Sequence, residues 1–412
     1  MPTPSLLIVP ARFKSGRLYS QIPTSGGDFT VTRALGTATR VNASGLIESV
    51  ASGIPRLDYF ASGGTVGCPA LLVEPAATNG IRNNSMVGAV AGTPGTLPTG
   101  GGWATVLRGL TQTVVGTGTE NGINYIDIRF SGTATSTDVV EIRYESNTQI
   151  VASSGQTWAH SVYLKKIVEP NPPNNYQLSI YERDSGGGFV AFGASTIAPT
   201  TTIQRFTQTR TLSGALTARV QPGLFFGITN LQSYDFTIRI GYPQMELSSV
   251  ATSVIPTTTG SVTRNADVIS VSGAVSGSIG QTEGTMYFEV LDIKGVSTGT
   301  GNPALAIRNT AITNWIALTS NSTALPFRII VRSTTTTLIN YSSAITEGKV
   351  AIGYSASGAV VYVNGTEVAS TVTNPNLTLN VVSMEQYMPF KVKSLALYTT
   401  RLTDAQLAAL TT

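Results

Sequence analysis

One histidine, one cysteine and a thin scatter of carboxylates are what this sequence offers to reaction chemistry. His160 lies in "TWAHSVYLKK", where strand alternation sets Trp158, His160, Val162 and Leu164 on one face. A histidine among apolar neighbours reads as a half-buried structural residue, because a general base needs a carboxylate or nucleophile beside it. Cys68 stands before Pro69 and reads as a small buried hydrophobe. A single cysteine forms no intramolecular disulfide, and one His with one Cys builds no His/Cys metal centre. Glycoside hydrolysis needs two carboxylates facing each other across the scissile bond. The candidates are Asp184, Glu246, Glu283 and Glu289, and each has a structural explanation: a turn for Asp184, a polar strap for Glu246, strand starts for the other two. No catalytic residue is assigned, and a non-enzyme is expected. No cofactor is expected either. A structural calcium is compatible with sandwich folds, although no Asp-rich loop of the EF-hand kind is present.

Binding chemistry is better supplied. Sugars stack on flat rings and hydrogen-bond to amides and hydroxyls nearby. The candidate rings are Trp103, Tyr176, Tyr181, Trp315 and Tyr341. Core packing competes for every one of them, since large aromatic rings in a sandwich are usually inside. Tyr176 and Tyr181 are an odd number of residues apart on one strand, so they point to opposite faces and at most one is core.

The elements that must position these rings are strands. Charged residues are 12% of the 412, about half the usual share for a soluble domain. Thr, Ser, Val, Ala and 42 glycines take their place, a composition suited to short strands and tight turns. The net charge is +4 with no Lys/Arg block, which argues against a nucleic-acid partner. No apolar run reaches the roughly 18 residues of a membrane span. The first residues lack the pattern of a secretory signal, so synthesis in the cytosol and no membrane insertion are expected.

The fold class expected is all-β, in four parts. Residues 1–75 hold short extended pieces cut by Gly and Pro, which bury little alone and read as an N-terminal attachment segment. Residues 76–256 hold about eight alternating strands, a jelly-roll sandwich of the carbohydrate-binding-module kind. In "NYIDIRF", Ile126, Ile128 and Phe130 share one face and Tyr125, Asp127 and Arg129 the other. Residues 257–281 read as a linker. Residues 282–412 form a second sandwich able to fold alone, with an Asn364-Gly365 hairpin of type I′ and a terminal helix capped by Thr403 with Gln406 at N3.

Three linked stretches carry a resemblance: "FTVTRALGTATRVNASGLIESVASGIPRLDY", "CPALLVEPAATN" and "QMELSSVATSVIPTTTGSVTRNAD". Together they resemble signatures of bacteriophage virion proteins, while "VYVNGTEVA" and "LYTTRLTDAQLAALT" are similar to concanavalin A-like (laminin G-like) modules. The signature charges are Arg56, Asp58, Glu74, Arg264 and Asp267, read as braces for extended backbone. The third stretch then reads as a strap returning to the N-terminal segment.

The resemblance implies a virion-surface head or tail fibre, or a capsid decoration protein. It would be held to other virion proteins through the N-terminal segment, homotrimeric, and adhesive toward host-surface or environmental glycans. The rival readings are a polysaccharide-degrading tailspike, against which the lack of a β-helix repeat counts, and a purely capsid-stabilising protein.

Overall fold

Alternation between apolar and polar residues dictates what forms. The computed structural model describes every residue except 1, 24–25, 35–37, 60, 63–64, 297–301, 335 and 386. The chain is all-β, 52% strand against 3% helix, and its strand pairs are antiparallel. It divides into two compact units, Ala77–Arg264 and a discontinuous one made of Met1–Ala76 with Asn265–Thr412.

The Ala77–Arg264 unit is a sandwich of two sheets. One runs in the order Leu110–Glu120, Ile123–Thr133, Ser233–Glu246, Thr157–Asn171, Gln204–Thr211. The other runs Ala104–Val106, Asp138–Arg143, Arg219–Ile228, Tyr176–Arg183, Phe189–Ile197, with Ile150–Val151 also on Arg219–Ile228. Ile126, Ile128 and Phe130 from the first sheet meet Val140, Ile142, Leu178, Ile180 and Phe226 from the second in one core. The opposite register holds Arg129 to Asp235 and Arg239 to Asp127 on the outer face. The faces expected for "NYIDIRF" are the faces observed.

The discontinuous unit is also a sandwich. Its first sheet runs Thr366–Thr371, Gly358–Val363, Gly348–Ser355, Gly284–Leu291, Phe390–Tyr398, Ala70–Val73, Arg56–Asp58, with Leu6–Ile8 also paired to Phe390–Tyr398. Its second sheet starts with Phe13–Lys14, Arg17–Leu18 and Phe29–Thr32. It continues through Val268–Ser272, Val381–Met384, Leu305–Arg308, Trp315–Thr319 and Phe327–Ser333 to Thr336–Ser343. Leu6, Ile8, Phe29, Leu71 and Val73 are buried in the same core as Phe288, Ile352 and Phe390.

Three expected boundaries are therefore corrected. Residues 1–75 are not a separate extended segment: the partner surface they need is the unit formed by the last third of the chain. Residues 282–412 are not a complete domain, because the edge of Phe390–Tyr398 is closed only by Leu6–Ile8 and Ala70–Val73. Residues 257–281 are not a free linker. Val262–Arg264 pairs with Ala77–Asn79 in one unit, and Val268–Ser272 pairs with Phe29–Thr32 in the other.

The signature charges brace backbone, but with partners distant in sequence. Arg56 is fully buried and bonds Glu74 at 2.7 Å and Asp267. Arg33, which carried no local signal, bonds the other Asp267 oxygen at 2.9 Å and the Ile54 carbonyl at 3.2 Å. Burial alone would lower the Arg56 pKa, but the two carboxylates outweigh it and hold it up. Asp58 accepts from the Val41 amide at 2.7 Å and pairs with Lys391 at 2.9 Å. In the other unit, Arg264 donates to the hydroxyls of Thr252 and Ser253 at 3.0 and 3.1 Å. The strap reading holds: the Asp267 amide donates to the Glu74 carbonyl at 3.0 Å, and the Glu74 amide donates to the Asp267 carboxylate at 3.0 Å.

The hairpin and the helix form as expected. Asn364 and Gly365 have φ of 48° and 84° and join Val363 directly to its partner Thr366. The helix Asp404–Thr411 has both halves of its capping box, and Leu402 and Leu407 bury it against the sheet.

Candidate functional site

In the strand Tyr176–Arg183 the inward set is Tyr176, Leu178 and Ile180, and the outward set includes Gln177, Tyr181 and Arg183. The neighbouring strand holds the doubled Phe225-Phe226. Adjacent strand residues point to opposite faces, so one ring of such a pair must leave the core; Phe226 is inside and Phe225 faces out. Asp138–Arg143 turns Val139, Glu141 and Arg143 outward. The edge strand Phe189–Ile197 adds Phe189 and Phe192, which are 61% and 51% exposed. Together with Arg108 and Asp138 these side chains line an open groove of about 450 Å³ on the outer face of the sheet.

Tyr181 is the centre of this surface. Its ring lies 5.6 Å from Phe225, 5.9 Å from Phe192 and 6.2 Å from Phe189. The Arg183 guanidinium sits 4.4 Å from the Tyr181 ring centre and that of Arg143 5.6 Å, within the range of cation–π attraction. Burial and then the Glu141 charge push the Tyr181 phenol above its ordinary value, so it stays a neutral donor at physiological pH. Burial would lower Arg143, but its 2.8 Å bond to Glu141 more than offsets that. Arg183 is lowered, by burial first and by the like charge of Arg143 second. The surface offers flat rings at its centre and fixed donors and acceptors around them, an arrangement suited to stacking and hydrogen bonding.

Of the five rings expected to bind ligand, the structure places Tyr181 on the open groove face. Trp103 is corrected to core: it is 8% exposed, donates from Nε1 to the Asn83 carbonyl at 3.0 Å and meets Tyr144 edge-on. Tyr176 is core against Phe226 and Phe236, with its hydroxyl bonded to Glu169. Trp315 is 5% exposed on the outer face of its sheet, covered by Arg332 at 4.6 Å. Tyr341 is half-buried against the core beside Phe327. The residues missed were Phe189, Phe192, Phe225, Arg143 and Arg183. The doubled phenylalanine and the phenylalanines of the Gly-flanked stretch "GGGFVAFG" were the available signals.

Of the groups considered for catalysis, His160, Asp184, Glu246 and Glu289 hold structural positions. His160 is fully buried, edge-on to Tyr144, and burial brings its pKa down to about 3 against a smaller opposing influence of the Ser179 backbone. Asp184 caps its own turn, accepting from the Gly186 and Gly188 amides at 2.9 and 2.8 Å. Glu246 is buried and accepts from the Thr252 amide at 2.9 Å. Glu289 pairs with Lys393. Cys68 is corrected from buried to exposed. Glu283 lines a larger open cleft of about 780 Å³ in the discontinuous unit, with Glu367, Arg401 and Asp404. That cleft is walled otherwise by small and hydroxyl residues and has no aromatic ring, so it lacks a stacking platform.

The sequence matches no family model and no curated protein. Among solved structures it is similar to a carbohydrate-binding module of the CBM4 type, at 17% identity and TM-score 0.26, over 40% of this chain and 99% of that one. It is similar to the tripod from the baseplate of bacteriophage Tuc2009, at 13% identity and TM-score 0.29, over 88% of this chain and 98% of that one. A third likeness is to the enzymatically active domain of tailspike protein 4 of bacteriophage CBA120, at 16% identity and TM-score 0.24, over 35% and 19%. Phage tailspike and baseplate proteins and carbohydrate-binding modules thus stand among its structural neighbours, at distances too great to assign a role.

Proposed function

We propose that this chain is a phage virion-surface adhesin that binds glycans without cleaving them. The single observation that carries the reading is the groove centred on Tyr181, where half-exposed Phe189 and Phe192 and the fixed polar groups of Gln177, Glu141 and Arg143 share one open face. Pyranose faces stack on such rings, and buried charge-assisted donors orient the hydroxyls. The linked sequence signatures support a place on the virion. The discontinuous unit, which contains those of 29–75 and Asp267, is the part proposed to meet other virion proteins. Homotrimerisation is part of the proposal, because weak contacts sum to useful avidity when copies are linked.

The test is binding of the purified protein to polysaccharide extracted from host cells. Tyr181→Ala and Phe192→Ala should each weaken binding at least about tenfold, or ~1.4 kcal/mol, with circular dichroism unchanged and no oligosaccharide released. Unchanged binding by both variants moves the site elsewhere. Release of oligosaccharide by the unaltered protein favours the tailspike reading. A fully folded protein that binds no host polysaccharide but still joins particles favours the capsid-stabilising one.

A further inference from the structure

The groove carries a cation without an ion-pair partner among the described residues. Arg108 pairs with Asp138 at 2.9 Å, and Arg143 pairs with Glu141 at 2.8 Å. Both carboxylates that line the groove are thereby engaged. Arg183 is the third arginine there, and among the described residues it forms no ion pair. It is 8% exposed, and its one hydrogen bond is from Nη2 to the neutral amide oxygen of Gln221 at 2.8 Å. Its Nε is buried without a partner. The Gln221 amide is itself fixed, donating to the Glu145 carbonyl at 2.7 Å, so the guanidinium is held in place against the Tyr181 ring.

A buried guanidinium is costly unless a counter-charge answers it. In the other unit the cost is met internally for Arg33 and Arg56, both fully buried and each bonded to carboxylates. Arg183 stands in a cleft open to solvent and is not. Burial and the nearby Arg143 disfavour its charge more than Tyr181 and Glu141 favour it, so an arriving anion relieves an existing penalty. We infer that the groove is selective for acidic saccharides, with the carboxylate of a uronic acid residue taken by Arg183 while the sugar ring stacks on Tyr181. Guanidinium and carboxylate match as a planar two-bond pair, which a neutral hydroxymethyl group cannot reproduce. The inference rests on the reading of this groove as a saccharide site.

The experiment is calorimetric titration of the full chain with an oligogalacturonide and with the same oligomer after reduction of its carboxyl groups to alcohols. The uronide should bind at least about tenfold tighter, a difference of ~1.4 kcal/mol. The preference should shrink at high NaCl. Arg183→Gln should abolish the preference while keeping the weaker binding of the neutral oligomer. Arg183→Lys keeps the charge without the planar fork and should show an intermediate preference; it also serves as the readable variant if Arg183→Gln lowers the melting temperature. Arg328→Gln, at a half-buried arginine of the other unit bonded to Asn340, should leave the preference intact. Equal affinity for the two oligomers overturns the inference and leaves the saccharide site standing. A preference lost equally in Arg328→Gln, or kept in Arg183→Gln, overturns it as diffuse attraction. Binding of neither oligomer overturns it for uronides, and the Tyr181→Ala comparison on host polysaccharide then decides the saccharide site independently.

Discussion

Asp267 holds two arginines with its two oxygens, and all three side chains are buried. Replacing it with Asn keeps the shape and removes the charge, leaving Arg33 without its carboxylate and Arg56 with Glu74 alone. Breaking a buried ionic group from one side costs about 3–5 kcal/mol, so Asp267→Asn should lower denaturant stability by that order; a change within the error of the midpoint would contradict the bracing role. His160 gives a prediction of opposite kind. Its folded pKa lies far below the unfolded one, so the unfolded chain takes up the proton first as pH falls. The stability tied to neutral His160 is complete above about pH 6.5 and is lost progressively toward the folded value of about 3. His160→Phe should therefore lose less melting temperature between pH 7 and pH 4 than the unaltered chain. Parallel losses in the two proteins would show that other groups set the acid limit. At this scale the sequence was a partial guide. It placed His160 in a structural role and Tyr181 opposite Tyr176, because strand parity is local. It kept Trp103 and Trp315 as binding candidates although both are covered, and it did not place Arg33 in the charge cluster, because the partners of these residues are distant in sequence.

Elements whose cause is local were legible in full. The Asn364-Gly365 turn needs positive φ at both residues, and has it. At Gly365 a new Cβ would lie 3.3 Å from the Thr412 hydroxyl, so little room is added to the backbone strain. Gly365→Val should destabilise the discontinuous unit by about 1 kcal/mol or more, since a β-branched residue resists that conformation. An unchanged melting temperature would mean that the turn adopts another geometry in solution. The edge strand Phe189–Ile197 was not legible as a binding element. Its rings are open because the strand stands at the end of the sheet order.

On the scale of the whole molecule, the unit boundaries were the part sequence reading missed. Continuity of the chain suggested consecutive domains, whereas pairings such as Leu6 with Leu397 and Leu71 with Val392 join its two ends. Ala77–Arg264 has its own core and both its sheets, so a fragment of 77–264 should melt cooperatively and retain the groove's binding. A fragment of 283–412 should not fold, because it lacks Leu6, Ile8, Phe29, Leu71 and Val73 and leaves one edge of Phe390–Tyr398 bare. Dispersed amide resonances from the 283–412 fragment, or an unfolded 77–264 fragment, would refute this division.

The pairing of the first strands with Phe390–Tyr398 also sets an order in time. During synthesis, Leu6–Ile8 and Ala70–Val73 leave the ribosome long before Phe390–Tyr398, the strand with which they pair. At 5–20 residues per second this is a wait on the order of tens of seconds. The 77–264 sandwich can close meanwhile, while the early strands keep apolar faces and unpaired edges open. A chain broken off before residue 390 would thus carry a finished 77–264 sandwich and an unfinished discontinuous unit. The discontinuous unit can therefore close only after Phe390–Tyr398 has been translated.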